Sequence, residues 1–511
     1  MGGIFVLLVS CSPVATGQQE RPNIIFIMAD DLNDFVRFTD TYKMARTPNL
    51  DRLAAQSSVF VNAHSNAPVC APSRASLFTG IYPHRSGKYG FTNWRKNEVL
   101  SNSKTIMEQL RDHGYTTAGV GKLMHSPWKP AWDEYGLKQD YTPIAFDGTK
   151  KVGHPSVPEP FRNLGPLDAT FAPLSDVPIV EPRGDASGHE GWYSFPYQRT
   201  FRYVNEDDRD LLPDEKTADW AMQKLVQWNG DVDFKGPFFL GVGFIRPHTP
   251  LVVPDRFFDM FPISGIELPH LLDGDESDCY FEENHLPGES KGRKHYKALM
   301  ASFDNDELAL KTYLQAYLAS IAFMDEQVGR IIGKLNDTRF KDNTIVVFTS
   351  DHGYTLGEKG YLFKNNLWES ATKVPLLIYD PNIGKRHTIE EAVSLIDLYP
   401  TFCEYSGAMA DNRKNGKGKR TDGRSLVPLT HGKRTKDGYA LTVVAGENQG
   451  HHFSLRTDQW RYILYGNGRE ELYDHAVDPW EEWNKAESGE YRTIREKLHK
   501  KLRGLIEAGG H

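Results

Sequence analysis

Five consecutive residues, Cys70-Ala71-Pro72-Ser73-Arg74, place a thiol and a guanidinium in what reads as the opening of a helix, with Leu77-Phe78-Thr79-Gly80 following. Pro72 suits a first helical turn, where a missing N–H costs no hydrogen bond. The helix N-terminus then offers backbone N–H groups and a partial positive charge to an anion beside Cys70. Elsewhere the chain carries Asp30-Asp31, Gly121-Lys122-x-x-His125, Pro247-His248, Asp351-His352 and Lys364. The carboxylates of Asp30, Asp31 and Asp351 are hard oxygen donors, which suit Ca²⁺ or Mg²⁺ better than zinc. A nucleophile, a divalent cation, cationic side chains and imidazoles are together the parts needed to attack an anionic centre and manage the protons. Singly, an Asp pair usually caps a strand and a cysteine is usually a buried thiol, so the weight rests on the combination.

These residues must be positioned by regular elements. Apolar runs at Ile24–Ala29, Thr116–Val120, Phe238–Val242, Thr344–Thr349 and Val374–Tyr379 have the character of strands buried on both faces. Helical patterns separate them. One opens at Thr47-Pro48-Asn49 with Leu50, Leu53 and Ala54 on a single face, one at Pro213-Asp214-Glu215 with Ala218, Ala221, Met222, Leu225 and Val226 at helical spacing, and a third spans about 308–335. Alternation of this kind predicts an α/β fold with a mainly parallel sheet flanked by helices, with ligands gathering at the carboxyl ends of the strands. The residues after the first four runs are Asp30-Asp31, Lys122 with His125, Arg246-Pro247-His248, and Asp351-His352. The chemistry therefore falls where such a sheet puts its site. Beyond about 438, short strands at 453–456, 460–465 and 471–473 and an amphipathic helix at 491–506 predict a small α+β subdomain. The expected division is a leader at 1–20, a catalytic domain at 21–437 and a C-terminal subdomain at 438–511.

At 511 residues, with 39% hydrophobic and 25% charged, the chain has ample material for a core. A formal charge of -8 argues against a nucleic-acid partner. Four cysteines, one in the leader and one in the reactive pentapeptide, exclude a disulfide framework and leave Cys279 and Cys403 as a single unfavoured pair. Ile4–Val9 followed by Leu8-Val9-Ser10-Cys11 resembles a bacterial lipoprotein leader, although no Lys or Arg precedes the apolar run. Export is expected, to the periplasm or to an outer-membrane lipid anchor at Cys11.

The Cys-x-Pro-Ser-Arg pentapeptide with Thr79-Gly80 resembles the signature of the type I, formylglycine-dependent sulfatases. Asp30-Asp31, Gly121-Lys122-x-x-His125, Pro247-His248, Ser350-Asp351-His352-Gly353, Lys364 and Glu471-Leu472-Tyr473-Asp474 follow in that family's order across nearly the whole chain. His352, Phe238–Gly243 running into Arg246-Pro247-His248, and Leu318 to Gly329 on the long helix are similar to the iduronate-2-sulfatase-like subgroup. Arg246 stands where that subgroup often has Lys. The resemblance implies an alkaline-phosphatase-like large domain and conversion of Cys70 to formylglycine by a generating enzyme. It implies one Ca²⁺ held by Asp30, Asp31, residue 70, Asp351 and His352, and a sulfated oligosaccharide or polysaccharide substrate, in this subgroup a 2-O-sulfated uronic acid or a related residue. A thiol attacking a sulfate ester would leave a thiosulfate that is hard to resolve, whereas an aldehyde hydrate has a second hydroxyl to expel sulfate. Arg74, Lys122 and Lys364 are expected to neutralise charge. His125 is expected as the base and His248, with Lys364, as the acid, two roles that the sequence leaves exchangeable. Asn93-Trp94-Arg95, Tyr354 and the basic loop at 413–420 are expected on the substrate rim. The rivals are a phosphonate or phosphodiester hydrolase of the same superfamily, and a non-catalytic carbohydrate-binding relative.

Overall fold

The computed structural model describes residues 21–284, 289–434, 437–446 and 450–508; the leader, with Cys11, lies outside them. Eight strands form the main sheet: β1 (Asn23–Asp30), β2 (Ser57–Phe60), β3 (Thr116–Gly121), β4 (Glu134–Lys138), β5 (Phe238–Pro247), β6 (Thr344–Ser350), β7 (Leu376–Tyr379) and β8 (His387–Ile389). Their order is β8-β2-β7-β6-β1-β5-β3-β4. β6, β1, β5, β3 and β4 run parallel.

The reason β1 reads as continuously apolar is now visible. Ile25, Ile27 and Ala29 enter one core cluster while Ile24, Phe26 and Met28 enter the other, all at 0% exposure. Both faces of the strand are covered, so period-two alternation disappears from the sequence. Helices α1 (Pro48–Ala54), α4 (Pro213–Gly230) and α5 (Asp306–Asn336) cover the first face, and α2 (Cys70–Thr79), α3 (Ile106–Asp112) and α6 (Leu398–Ser406) the second. On α4, Ala218, Ala221 and Leu225 are buried as expected, but Val226 is 53% exposed. The strand at 376–379 is antiparallel to both β6 and β2. No crossover helix separates it from β6; the chain returns through residues 351–375, which carry site residues instead.

Glycine is demanded where β3 and β5 meet. A Cβ on Gly121 would stand 2.0 Å from the Gly243 carbonyl oxygen, and one on Gly243 would stand 2.2 Å from the Lys122 backbone. Only two bare α-carbons let the strand ends approach closely enough to present Lys122 and His248 side by side.

A second sheet of four antiparallel strands, β9 (Ala440–Val444), β10 (His452–Arg456), β11 (Trp460–Leu464) and β12 (Glu470–Asp474), packs with helix α7 (Arg492–Ala508). Leu441, Leu455, Tyr462, Leu472, Leu498 and Leu502 fill the space between them. Cys279 and Cys403 are free thiols. No helix among the described residues is long and apolar enough to cross a membrane.

Candidate active site

Four adjacent parallel strands, β6, β1, β5 and β3, end at the same edge of the sheet, and each hands its next residues to one cluster. β1 delivers Asp30 and Asp31, β3 Lys122, β5 His248 and β6 Asp351 with His352. Cys70 joins them as the first residue of α2.

Around the Cys70 sulfur, His352 Nε2 lies at 3.2 Å, Lys364 Nζ at 3.3 Å and Asp31 Oδ1 at 3.9 Å. Lys364 Nζ also donates to both Asp31 oxygens, at 2.5 and 2.8 Å. Lys122 pairs with Asp30. His248 Nε2 stands 3.9 Å from Asp31 Oδ2. Its Nδ1 lies 2.5 Å from the Thr249 carbonyl oxygen, which assigns the proton to Nδ1 and leaves Nε2 with its lone pair facing the cluster. The same logic applies to His352, whose Nδ1 is 2.9 Å from the Gly353 carbonyl oxygen.

Arg74 is fully buried, and its donors are taken by protein acceptors. Nε donates to Asp351 Oδ2 at 2.7 Å and NH2 to Asp30 Oδ1 at 3.2 Å and the Ala29 carbonyl at 3.3 Å. NH1 donates to the carbonyls of Lys122 and Leu123. The guanidinium therefore locks two carboxylates and the Lys122 turn together instead of presenting itself to an incoming anion. Ser65 and Ser73 each donate to the Asp351 carbonyl at 2.6 Å.

Asp31 holds its backbone at φ 63, a left-handed conformation that costs a non-glycine residue about 1 kcal/mol or more. The Tyr317 hydroxyl donates to its carbonyl at 2.7 Å, and its N–H donates to Asp351 at 3.2 Å. Tyr317 sits on an inward face of α5, buried among core residues, and nothing in the sequence singles it out. Tyr141 was missed in the same way. Its ring lies 5.2 Å from Lys122 Nζ and 5.2 Å from the His248 ring, yet it stands in a loop with no motif around it.

The electrostatics follow from burial and close packing. Burial alone would raise Asp30, but Lys122, His248 and Arg74 outweigh it and hold the carboxyl well below its usual range. Asp31 is raised, by burial against the pull of Lys364 and His352, with Asp30 and Asp351 adding to the rise. Burial also pushes the Cys70 thiol up, so the unmodified side chain is a poor thiolate. His125 is pushed down to about 4 by burial, then by Lys122 and Arg74. It stands beside the cluster with its ring 5.0 Å from that of Phe91.

The carboxylates of Asp30, Asp31 and Asp351 are oxygen donors of the kind a hard divalent cation takes. Ligand atoms of Asp30, Cys70, Asp351 and His352 lie within 4.8 Å of one another, as do those of Asp30, Asp31, Cys70 and His248. Glu369, His475 and Glu481 also converge, but Arg461 pairs with both of those carboxylates and occupies that centre.

Two expected rim elements are placed otherwise. Tyr354 is 3% exposed and bonds through its hydroxyl to that of Tyr313 at 2.9 Å, within the core. The basic loop is anchored at the carboxyl end of α2, where the Asp422 N–H donates to the Gly80 carbonyl at 2.6 Å, and Arg413 is spent on Asp411. Ten helical residues separate that end from Cys70, about 15 Å.

The family model described as Sulfatase matches residues 22–408, and the one described as N-sulphoglucosamine sulphohydrolase, C-terminal, matches 357–508. A curated sulfatase of Formosa agariphila is 33% identical over 94% of this chain and 86% of its own. The choline-sulfatase of Rhizobium meliloti is 30% identical over 92% and 83%. The iduronate 2-sulfatase of Homo sapiens is 30% identical over 91% and 81%. Among solved structures, the phosphonate monoester hydrolase of Silicibacter pomeroyi superposes with a TM-score of 0.70 at 21% identity, covering 96% of both chains.

Proposed function

Since this chain belongs to the sulfatase family and is a sulfuric ester hydrolase, we propose that it removes sulfate from a carbohydrate, using formylglycine made from Cys70 and a calcium ion. The observation that carries this reading is the convergence of His352, Lys364 and Asp31 on the Cys70 sulfur. Asp30, Asp31, Asp351 and His352, with residue 70, would hold the ion. When bound, it would supply Lewis acidity that polarises the sulfate ester and lowers the pKa of the nucleophile. A hydrated aldehyde at position 70 would offer one hydroxyl to attack sulfur, displacing the sugar oxygen, and a second whose deprotonation would reform the aldehyde as its bond to sulfate breaks.

The chain's own residues do the rest. The amino end of α2 and the ammonium groups of Lys122 and Lys364 neutralise the sulfate oxygens as negative charge builds. Arg74 acts as a positioning residue that fixes the carboxylates. His125, pushed down to about 4 chiefly by burial, is neutral near pH 7 and has a ring nitrogen able to take a proton. His248 presents Nε2 toward Asp31 and hands a proton to the departing sugar oxygen. Burial, Lys364 and Lys122 keep it neutral in the free protein, and the negative charge of an arriving ester offsets those two cations and favours its protonation.

For the sugar, the iduronate 2-sulfatase relative and the subgroup features support a 2-O-sulfated uronic acid or a related polysaccharide residue. We further propose a generating enzyme as maturation partner, residues 438–511 as a C-terminal subdomain behind a catalytic domain at 21–437, and export through the leader at 1–20. The test is sulfate release from sulfated disaccharides, set beside turnover of choline sulfate and a phosphate diester. The disaccharides should exceed both by at least about a hundredfold in kcat/KM, well inside the roughly 10⁴–10⁵ that a site built to hydrogen-bond its substrate can reach. A preference for the diester would replace this reading with the phosphodiesterase one.

A further inference from the structure

Beside His125 runs a strip of loop that the proposed chemistry leaves unused. Residues 91–95 lie along residues 125–128. The Phe91 ring is 5.0 Å from the His125 ring, tilted at 55°. The Trp94 indole N–H donates to the Ser126 carbonyl at 3.1 Å. The Arg95 guanidinium sits 4.4 Å over the Trp128 ring. Trp94, which sequence places on the rim, is instead the buried pin that fastens this strip, at 4% exposure.

Of the two residues beside that pin, Phe91 is exposed and Arg95 is half-buried. Phe91 is 60% exposed, and its apolar surface has no evident structural use. Arg95 has no carboxylate partner among the described residues. Its Nε donates to the Asn93 side chain at 3.3 Å, which orients the planar fork without neutralising it. Stacking on Trp128 adds a second constraint, so the charge is held in place with little entropy left to lose. An open aromatic face next to a proton-transfer histidine, with a preorganised and unneutralised guanidinium on the same strip, matches a ring that carries a negative substituent.

We propose that Phe91 and Arg95 form the substrate rim, Phe91 stacking on the sugar ring and Arg95 binding an anionic substituent other than the sulfate being cleaved. The proposal rests on the carbohydrate sulfatase reading and adds the two residues that would read the sugar ring and its second anionic substituent. Matured full-length protein is assayed on three disaccharides sharing the same scissile sulfate. One bears a carboxylate, one is its carboxyl-reduced form and one bears a second sulfate.

Arg95→Ala should raise KM about tenfold on whichever anionic substrate the wild type prefers, the scale of a charge-assisted contact. It should also collapse the preference over the reduced sugar, with Arg95→Lys restoring part of it. Phe91→Ala should raise KM about fivefold on all three with kcat little altered, and Phe91→Tyr should restore it. A merely structural role for Arg95 would shift all substrates alike and leave the preference ratio standing. An unchanged ratio, or a Phe91→Ala defect confined to kcat, overturns the rim. Wild-type protein that releases sulfate from none of the three overturns the carbohydrate reading as well, whereas normal wild-type turnover with unresponsive variants overturns the rim alone.

Discussion

Lys364 is the side chain on which the charge balance of the site turns. It reaches both oxygens of Asp31 and stands 3.3 Å from the Cys70 sulfur, so one ammonium compensates a buried carboxylate and faces the reacting position. Replacing it with alanine should lower kcat/KM by about 10²–10⁴, the range for loss of a proton donor or charge-stabilising group. Steady-state rates on a sulfated sugar check this, and a near-normal rate would remove Lys364 from the site. At this scale the sequence is unusually informative. Asp30, Asp31, Cys70, Asp351 and His352 are legible because few residue types could fill the roles proposed for them, holding a divalent cation or becoming an aldehyde. Tyr317 escapes detection because a phenol bracing the site from a helix has the same pattern as a phenol in a core, and Tyr141 because it stands in a loop with no motif around it. Arg74 is legible as a residue but not in its use. Only coordinates reveal that its donors are already taken.

Elements decide how accurately those residues meet. The break after β1 places Asp31 in a left-handed conformation that the Tyr317 hydroxyl holds from both sides, donating to the Asp31 carbonyl and accepting from the Asn33 N–H at 3.1 Å. Tyr317→Phe removes both bonds while keeping the ring. It should weaken calcium binding by about 10–100-fold, as loss of outer-shell support does, and destabilise the fold by about 1–3 kcal/mol. Calcium titration by calorimetry measures the first effect, and unchanged affinity would contradict the bracing role. The strands bearing the site were recognisable because burial on both faces leaves a continuous apolar run. The direction of β7 was not, because an apolar tetrad such as Leu376–Tyr379 pairs equally well either way. The connection that turns it antiparallel is chosen by where residues 351–375 must pass.

Across the whole molecule, the small sheet is fastened to the loop that carries Lys364. Arg461 on β11 pairs with Glu369 and Glu481, and donates to the Leu367 carbonyl at 3.1 Å and to Ser454 Oγ at 2.7 Å. Burial would raise both acids, but Arg456, His475 and Arg461 hold Glu369 well below the usual range, and Arg461 with His475 lowers Glu481. A depressed folded-state pKa contributes stability above the unfolded value of about 4.3, and that contribution disappears as pH falls through the folded value. Arg461→Met should therefore cost about 3–5 kcal/mol near neutrality, as breaking a buried pair does, and should move acid unfolding to higher pH. Melting curves between pH 3 and 7 measure both effects, and an unshifted acid limb would refute the clamp. The most direct test of the account as a whole is to prepare the protein with graded aldehyde content at position 70, measured by peptide mass, and plot sulfate release against that fraction. A line through the origin is the predicted result. Full turnover by chains that retain the thiol would contradict the account.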